Sequence, residues 1–488
     1  MIPFSELNAP TRLYISGEYL DAAGGGTFET LNPATGELLG QVARGSADDI
    51  DQAVRAARAA MDAGDWPKMA SHDRERLLHR IADLIEQNAE TLAVLETYDT
   101  GKPYKDALRI DIPLTVQSFR YYAGWPSKLR GDTLPVRGNF LTYTRREPIG
   151  VIGQIIPWNF PLFMAALKLA PALAAGNAVV LKPAEQTPLS ALYLAQLMQQ
   201  AGLPDGVVNV VPGLGPEAGE ALITHPLVDK LAFTGSTRTG QHIMRAAADG
   251  LKRVSLELGG KSPHIIFADA NLKSAMRAIG AAIFYNQGEV CIAGSRLFVE
   301  ESIHEQALEA AATAASKMKV GDPFAEDTRI GALVSEAHHR RVDEYVKLGV
   351  SEGAEVVCGG APAEVNGGKG WFYQPTVLSK VSNSMRVAQE EIFGPVLSVI
   401  PFKDTDDLIA QANDTTYGLA AGLWTRDVGK AHSTAAALKA GTVYINTYGL
   451  LDPSAPFGGY KMSGLGREMG EEGINMYTET KTVWTALD

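Results

Sequence analysis

The chain is poor in cysteine: its 488 residues carry two, Cys291 and Cys358. Two thiols cannot build a framework of disulfides, and no Cys/His cluster has metal-ligand spacing, so neither a disulfide framework nor a structural metal is expected. A reducing, cytoplasmic compartment fits that usage best. Basic charge is also in deficit, with 44 Lys and Arg against 56 Asp and Glu and a formal net charge of −12. That balance argues against nucleic acid or an anionic membrane as the main partner. The start, Met1-Ile2-Pro3-Phe4-Ser5-Glu6, lacks a basic stretch followed by an apolar core, so no secretory signal is expected. The longest apolar region, Leu162 to Leu181, is interrupted by Lys168, Pro171, Gly176 and Asn177 and reads as a buried helix and strand, not a membrane span. No low-complexity linker or usable internal repeat is present.

What remains is ordinary for a globular protein, 45% hydrophobic and 20% charged. The length exceeds one typical core, so two or three domains are expected. Residues 12–40 read as short strands around a tight Gly24-Gly25-Gly26 turn. Ser46 caps a helix whose first turn holds Asp48 and Asp49 and whose apolar face is Ile50, Ala53, Val54 and Ala57. A second helix follows Ser71, and a third covers about Glu90 to Tyr98, stopping before Gly101-Lys102-Pro103. From residue 150, apolar β-branched runs recur at Val151–Ile156, Ala178–Leu181, Val207–Val211, Leu231–Phe233 and Val254–Leu256, with helix-compatible segments in most of the gaps. That is the pattern of βα units on a doubly wound parallel sheet, whose ligand sits at the strands' C-terminal ends. A second α/β series starts near Pro263, with strands at His264–Phe267, Arg296–Val299, Val396–Pro401 and Gly441–Ile445, and helices such as Ile303–Met318 between them. It carries Cys291. Asn366-Gly367-Gly368-Lys369-Gly370 is a surface turn.

Several segments offer chemistry. Cys291 sits among small and polar residues, bracketed by Gly288 and Gly294, after the apolar run Ala281–Tyr285. A thiol reacts as thiolate and needs an activating environment; taken alone, the segment reads more simply as a buried cysteine acting as a small hydrophobe. Gly213-Leu214-Gly215-Pro216-Glu217-Ala218-Gly219 follows a strand and precedes a helix, but its spacing differs from the dinucleotide fingerprint by one residue, so it is a turn near a cofactor at most. In Phe233-Thr234-Gly235-Ser236-Thr237, a strand ends and hydroxyls open a helix, which suits either a pyrophosphate or an ordinary cap. Lys182 and Glu185, at another strand end, could take ribose hydroxyls or form a solvated charge pair. A carboxylate there would repel a 2′-phosphate, so NAD is expected over NADP. Glu257 ends an apolar strand and is either a general base or a hydrogen-bonded structural acid. Asn159, in Pro157-Trp158-Asn159-Phe160-Pro161, could stabilise an oxyanion or cap the next helix.

In chain order, Pro157–Pro161, Leu256-Glu257-Leu258-Gly259-Gly260-Lys261, Gly288-Glu289-Val290-Cys291, Glu390-Glu391-Ile392-Phe393-Gly394-Pro395-Val396 and Pro456-Phe457-Gly458-Gly459-Tyr460-Lys461-Met462-Ser463-Gly464 resemble the aldehyde dehydrogenase superfamily. The resemblance runs from about Leu13 to Trp484. It implies a Rossmann-type cofactor domain (1–128 and 149–259), an α/β catalytic domain (260–462) and a small β oligomerisation region (129–148 and 463–488) that builds dimers or tetramers. It makes Cys291 the nucleophile, Glu257 the general base, and Asn159 with the Cys291 N–H the oxyanion hole. NAD would lie on Ile156, Pro157, Trp158, Lys182, Glu185, Gly215, Gly219, Phe233, Gly235, Ser236, Leu258, Gly259, Glu391 and Phe393. The implied reaction passes through a thiohemiacetal and a thioester hydrolysed by water.

CoA-acylating relatives generally lack the glutamate found here as Glu257, and all the expected side chains of an active member are present. The substrate tunnel implied by the resemblance, Phe160, Met164, Leu167, Tyr285, Ile292, Leu451 and Phe457, is apolar and aromatic, with no arginine to hold a substrate carboxylate. Many relatives have tryptophan where this chain has Leu167, so a wider tunnel is expected. The expected substrate is an uncharged aliphatic or aromatic aldehyde; a cationic aminoaldehyde is the alternative, because aromatic rings also face cations. Glu289 stands where glutamine is common.

Overall fold

The computed structural model describes residues 3–488; Met1 and Ile2, where the N-terminal reading begins, lie outside the described residues. Two mainly parallel sheets dominate. The first has eight strands in the order Gly464–Leu465, Arg253–Glu257, Lys230–Thr234, Val151–Ile155, Ala178–Lys182, Val208–Val210, Leu13–Ile15 and Glu18–Leu20. The five strands from Arg253–Glu257 to Val208–Val210 are mutually parallel. Ala178–Lys182 is buried along its whole length, as a strand covered on both faces must be. Val151–Ile155 comes first of these five in the chain. Its successors build outward on one side and then on the other, so a crevice opens at its C-terminal end.

The helix Pro161–Ala175, which follows that strand, buries every residue but Met164, as its apolar composition all round requires. Ser46 closes a capping box with Asp49 on the helix Ala47–Asp62. Ser71 does not cap its helix: it is the first residue of Ser71–Gln87, and Ala70 holds the cap position without a side-chain bond. Ala89–Thr100 ends on Gly101 at φ +79°, a left-handed stop.

The second sheet has seven strands in the order Glu355–Cys358, Thr376–Ser379, Val396–Phe402, Arg296–Glu300, Pro263–Ile266, Ala420–Trp424 and Thr442–Ile445, all parallel except the first pair. A third, antiparallel sheet forms an arm in which Thr478–Ala486 pairs with the full length of Phe140–Pro148, from Thr478 opposite Pro148 to Ala486 opposite Phe140. Within 463–488, the short strand Gly464–Leu465 belongs instead to the edge of the first sheet. Among the described residues, no helix is long and apolar enough to cross a membrane.

Candidate active site

The parallel strands of the first sheet deliver the cofactor candidates to one crevice. Ile156, Pro157 and Trp158 follow Val151–Ile155; Lys182 ends its strand and Glu185 follows; Phe233 leads to Gly235 and Ser236; Leu258 and Gly259 follow Glu257. Ser236 caps the helix Thr237–Asp249, its hydroxyl accepting from the Thr239 N–H, which leaves the helix's first N–H groups at the strand ends. Lys182 is buried; its ammonium donates to the Pro183 carbonyl at 2.7 Å and lies 3.6 Å from Glu185. Burial lowers the Lys182 pKa, and Glu185 partly offsets it. Gly215 and Gly219 bound a π-helical turn, and a methyl at Gly219 would rest on the Lys182 stem.

The second sheet's side of the crevice supplies Glu391 and Phe393. A Glu391 oxygen accepts from the Gly260 N–H at 2.9 Å, and burial pushes the carboxyl up to about 7. Phe393 adopts φ +64°, a strained value for a side-chain-bearing residue. Its ring stands edge-on to Trp158 at 5.2 Å, and its carbonyl accepts from His338 Nε2 at 2.7 Å.

The loop before Cys291 holds three consecutive left-handed residues: Asn286 at φ 48°, Gln287 at 58° and Gly288 at 75°. Only the third is a glycine, so the other two need outside support. The Asn286 amide donates to the Asn159 and Glu289 carbonyls, each at 3.2 Å, and Gln287 accepts from the Gly331 N–H at 3.3 Å. A Cβ on Gly288 would lie 2.2 Å from the Gly394 carbonyl oxygen, and one on Gly260 would lie 2.3 Å from the Cys291 oxygen. Those two glycines let the strand end, the nucleophile loop and the Phe393 segment meet backbone to backbone. Asn286, Gln287 and Gly260 are structural parts of the site; the sequence places them in the segments around Cys291 and Glu257, but sequence reasoning gave them no role of their own.

Glu289 is buried against the same loop. Its carboxylate accepts from the Val334 N–H at 3.1 Å and lies 3.6 Å from His338. Burial raises the Glu289 pKa well above the ordinary carboxylate range and lowers that of His338 to about 4, so neutral forms of both are favoured.

A cavity of about 500 Å³ opens onto Cys291 and Glu257, and all seven tunnel candidates, Phe160, Met164, Leu167, Tyr285, Ile292, Leu451 and Phe457, line it. Glu257 is 4% exposed and neither carboxylate oxygen has a hydrogen-bond partner. Burial, followed by the charge of Glu468, raises its pKa well above the ordinary value. Burial also pushes the Cys291 thiol up to about 12, with Glu391 and Glu257 adding to the shift. Asn159 does not line the cavity. It is buried just behind, and its amide donates to the Glu289 carbonyl at 2.9 Å, using one of its two N–H groups.

Two neighbours of the site escaped sequence reasoning. Glu468 lines the cavity and pairs with the buried Lys168, whose ammonium also donates to Thr234 at 2.7 Å. A lysine inside the apolar helix Pro161–Ala175 was the signal for it. Arg109 also lines the cavity, which corrects the expectation of an arginine-free tunnel. It arrives on the π-helical turn Ala107–Asp111, remote in sequence from the tunnel motifs.

The family model described as "Aldehyde dehydrogenase family" matches residues 19–483. The mitochondrial aldehyde dehydrogenase of Homo sapiens is 51% identical over 474 residues, covering 97% of this chain and 91% of that protein. A Bacillus cereus aldehyde dehydrogenase solved as its NAD+ complex superposes with a TM-score of 0.98 at 50% identity, covering 100% of this chain and 99% of the other. The P. syringae indole-3-acetaldehyde dehydrogenase AldA, a cysteine-to-alanine mutant solved with NAD+ and IAA, gives 0.97 at 45% identity, covering 100% of both chains. The chain belongs to the aldehyde dehydrogenase family and is an NAD-dependent oxidoreductase of that family.

Proposed function

We propose that the chain oxidises an aldehyde to the carboxylic acid with NAD, using Cys291 as nucleophile and Glu257 as general base. The observation that carries this reading is the unpaired, buried Glu257 carboxyl opening onto the same cavity as the Cys291 thiol. A lone buried carboxyl is costly, and a water or substrate proton is the partner it lacks.

The crevice fits a dinucleotide. The N-terminus of Thr237–Asp249 with Ser236 suits a pyrophosphate, Lys182 and Glu185 suit the adenosine ribose, and Glu391, Phe393 and Trp158 suit the nicotinamide end. When bound, NAD accepts the hydride that leaves the aldehyde carbon. The thiolate of Cys291 adds to the carbonyl carbon; the Cys291 backbone N–H meets the oxyanion, and the Asn159 N–H not used by Glu289 reaches it from behind the cavity-lining residues. Loss of hydride leaves a thioester on Cys291. Glu257 then takes a proton from water, the hydroxide attacks the thioester, and the acid leaves as the thiol is restored.

The body of the substrate is uncharged and aliphatic or aromatic, because the wall is built from Phe160, Leu167, Tyr285 and Phe457. Arg109 favours this over a cationic aminoaldehyde, since it is an exposed residue that lines the cavity. Apart from Gly464–Leu465, which pairs with the first sheet, the proposed division follows the resemblance, with 1–128 and 149–259 holding NAD, 260–462 carrying Cys291, and 129–148 with 463–488 joining protomers into a homodimer or homotetramer in the cytoplasm. The test is NADH formation from a panel of aldehydes, scored by kcat/KM. No NADH from any aldehyde, with folded protein and NAD present, removes the reading.

A further inference from the structure

The chemistry above makes no use of Lys102, yet its buried ammonium touches the site at several points. It follows Gly101 at the end of the helix Ala89–Thr100, and 1% of its side chain is exposed. Its Nζ lies 2.5 Å from Asp111 Oδ2, donates to the Asn159 carbonyl at 2.9 Å, and stands 4.2 Å from the centre of the Phe160 ring. The π-helical turn Ala107–Asp111 ends on Asp111, whose other oxygen accepts from the Tyr285 hydroxyl at 3.4 Å. The Phe160 and Tyr285 rings stack on one another at 6.1 Å and 27°, and both line the substrate cavity. The Asn159 carbonyl that Lys102 holds also accepts from Asn286, and the Asn159 amide points at the Glu289 carbonyl, two residues before Cys291.

A fully buried ion pair adds little net stability over an apolar replacement of the same shape. What it supplies is direction. The ammonium anchors a backbone carbonyl and a ring face at once, and its carboxylate partner reaches the second ring. Loops that place an oxyanion donor tolerate little movement, because about 1 Å of misplacement costs on the order of 10²-fold in rate.

We propose that Lys102 is a positioning residue: it fixes the Asn159–Phe160 turn so that the oxyanion amide and the two-ring substrate wall keep one register. The proposal rests on the aldehyde-oxidising reading of the cavity. Lys102→Met keeps the side chain's length but leaves the buried Asp111 without its cationic partner and with only the Tyr285 hydroxyl, which can unfold the protein. Lys102→Met combined with Asp111→Leu removes both charges and keeps the core apolar. In either variant we expect kcat per titrated Cys291 to fall about 10²-fold. The ratio of kcat/KM for benzaldehyde to that for acetaldehyde should fall as well, because only the larger aldehyde leans on the Phe160 ring. A merely structural role would reduce the amount of folded enzyme and leave that ratio unchanged. An unchanged ratio in the folded double variant therefore overturns the proposal.

A crystal structure of the double variant gives a readout independent of turnover. Displacement of the Asn159 amide or of the Phe160 ring supports the proposal; both at their original distances from Glu289 and Tyr285 overturn it. A wild-type protein that oxidises neither aldehyde would remove the functional reading, and the crystal comparison would still decide the role of Lys102.

Discussion

Glu257 and Cys291 line one cavity, and a charge on Glu257 raises the pKa of the thiol, so an ionised base opposes ionisation of the nucleophile. Burial pushes in the same direction for both groups. The two cannot both be charged cheaply, and a thiolate formed beside neutral Glu257 is less costly than one beside its carboxylate.

This sets the expected pH dependence of the hydrolytic step. Glu257 works as a base only when ionised, and its pKa lies well above the ordinary carboxylate value of 4.5. The acid limb of the thioester-hydrolysis rate should therefore fall at higher pH than an exposed glutamate would give. Glu257→Gln should abolish that limb and lower steady turnover by about 10² or more, while a single burst of NADH survives if Cys291 reaches its thiolate without Glu257. Cys291→Ala should lose both the burst and the acyl adduct. Rapid-mixing absorbance with intact mass of the quenched protein reads both steps. Wild-type turnover in Glu257→Gln would remove Glu257 from the mechanism, and an adduct on Cys358 would move the nucleophile.

Cofactor choice rests on Glu185, which is 3.6 Å from the Lys182 ammonium at the strand end. A carboxylate at the ribose disfavours a 2′-phosphate, so kcat/KM with NAD should exceed that with NADP. Glu185→Ala should narrow the gap, because the freed Lys182 ammonium would then face the phosphate. Equal use of both cofactors by the wild-type protein would contradict this reading.

How much of this could be read from the chain depended on what kind of contact was involved. Strands such as Ala178–Lys182 and Arg296–Glu300 announce themselves because their central residues, Val179–Leu181 and Leu297–Val299, are apolar and buried on both faces. Ala420-Ala421-Gly422-Leu423-Trp424 is equally buried but lacks β-branched residues, and Thr376–Ser379 has only Val377 and Leu378 as apolar residues, so neither strand stood out. Motifs at strand ends were legible because a parallel sheet gathers those ends in one place. The pairing of Lys168 with Glu468 and the arrival of Arg109 were not, since each depends on long-range packing that carries no local periodicity. Lys102 looked like part of a helix stop, and only the folded chain puts its ammonium beneath Phe160.

The arm makes a prediction about assembly. Phe140, Leu141, Trp484 and Leu487 are exposed on it, with the Phe140 and Trp484 rings in contact at 5.7 Å. Exposed apolar side chains on a sheet with free edges invite association. A dimer or tetramer is expected at micromolar concentration by light scattering, and Leu141→Asp with Trp484→Asp should shift it to smaller species. A monomeric wild-type protein would remove the arm from any role in assembly.

The last expectation concerns charge at the substrate cavity. Arg109 is exposed on the wall, and no ion pair or hydrogen bond of its side chain is found among the described residues. The other charges there are compensated or neutralised: Glu468 is paired with Lys168, and burial favours the neutral form of Glu257. The guanidinium therefore leaves the cavity with a positive bias. At about 4 Å through water, two unit charges interact by roughly 1 kcal/mol, and more where the wall excludes solvent. Among aldehydes of matched length, a cationic one should have the lowest kcat/KM. Arg109→Gln should raise its kcat/KM several-fold relative to an uncharged partner, and added salt should shrink the difference in the wild-type protein. The measurement is the ratio of kcat/KM for a trimethylammonium aldehyde to that for its neutral, branched-alkyl counterpart, in both proteins and at two salt concentrations. A ratio that does not move with Arg109→Gln would mean that the guanidinium turns outward to solvent, and that the apolar wall alone sets the preference.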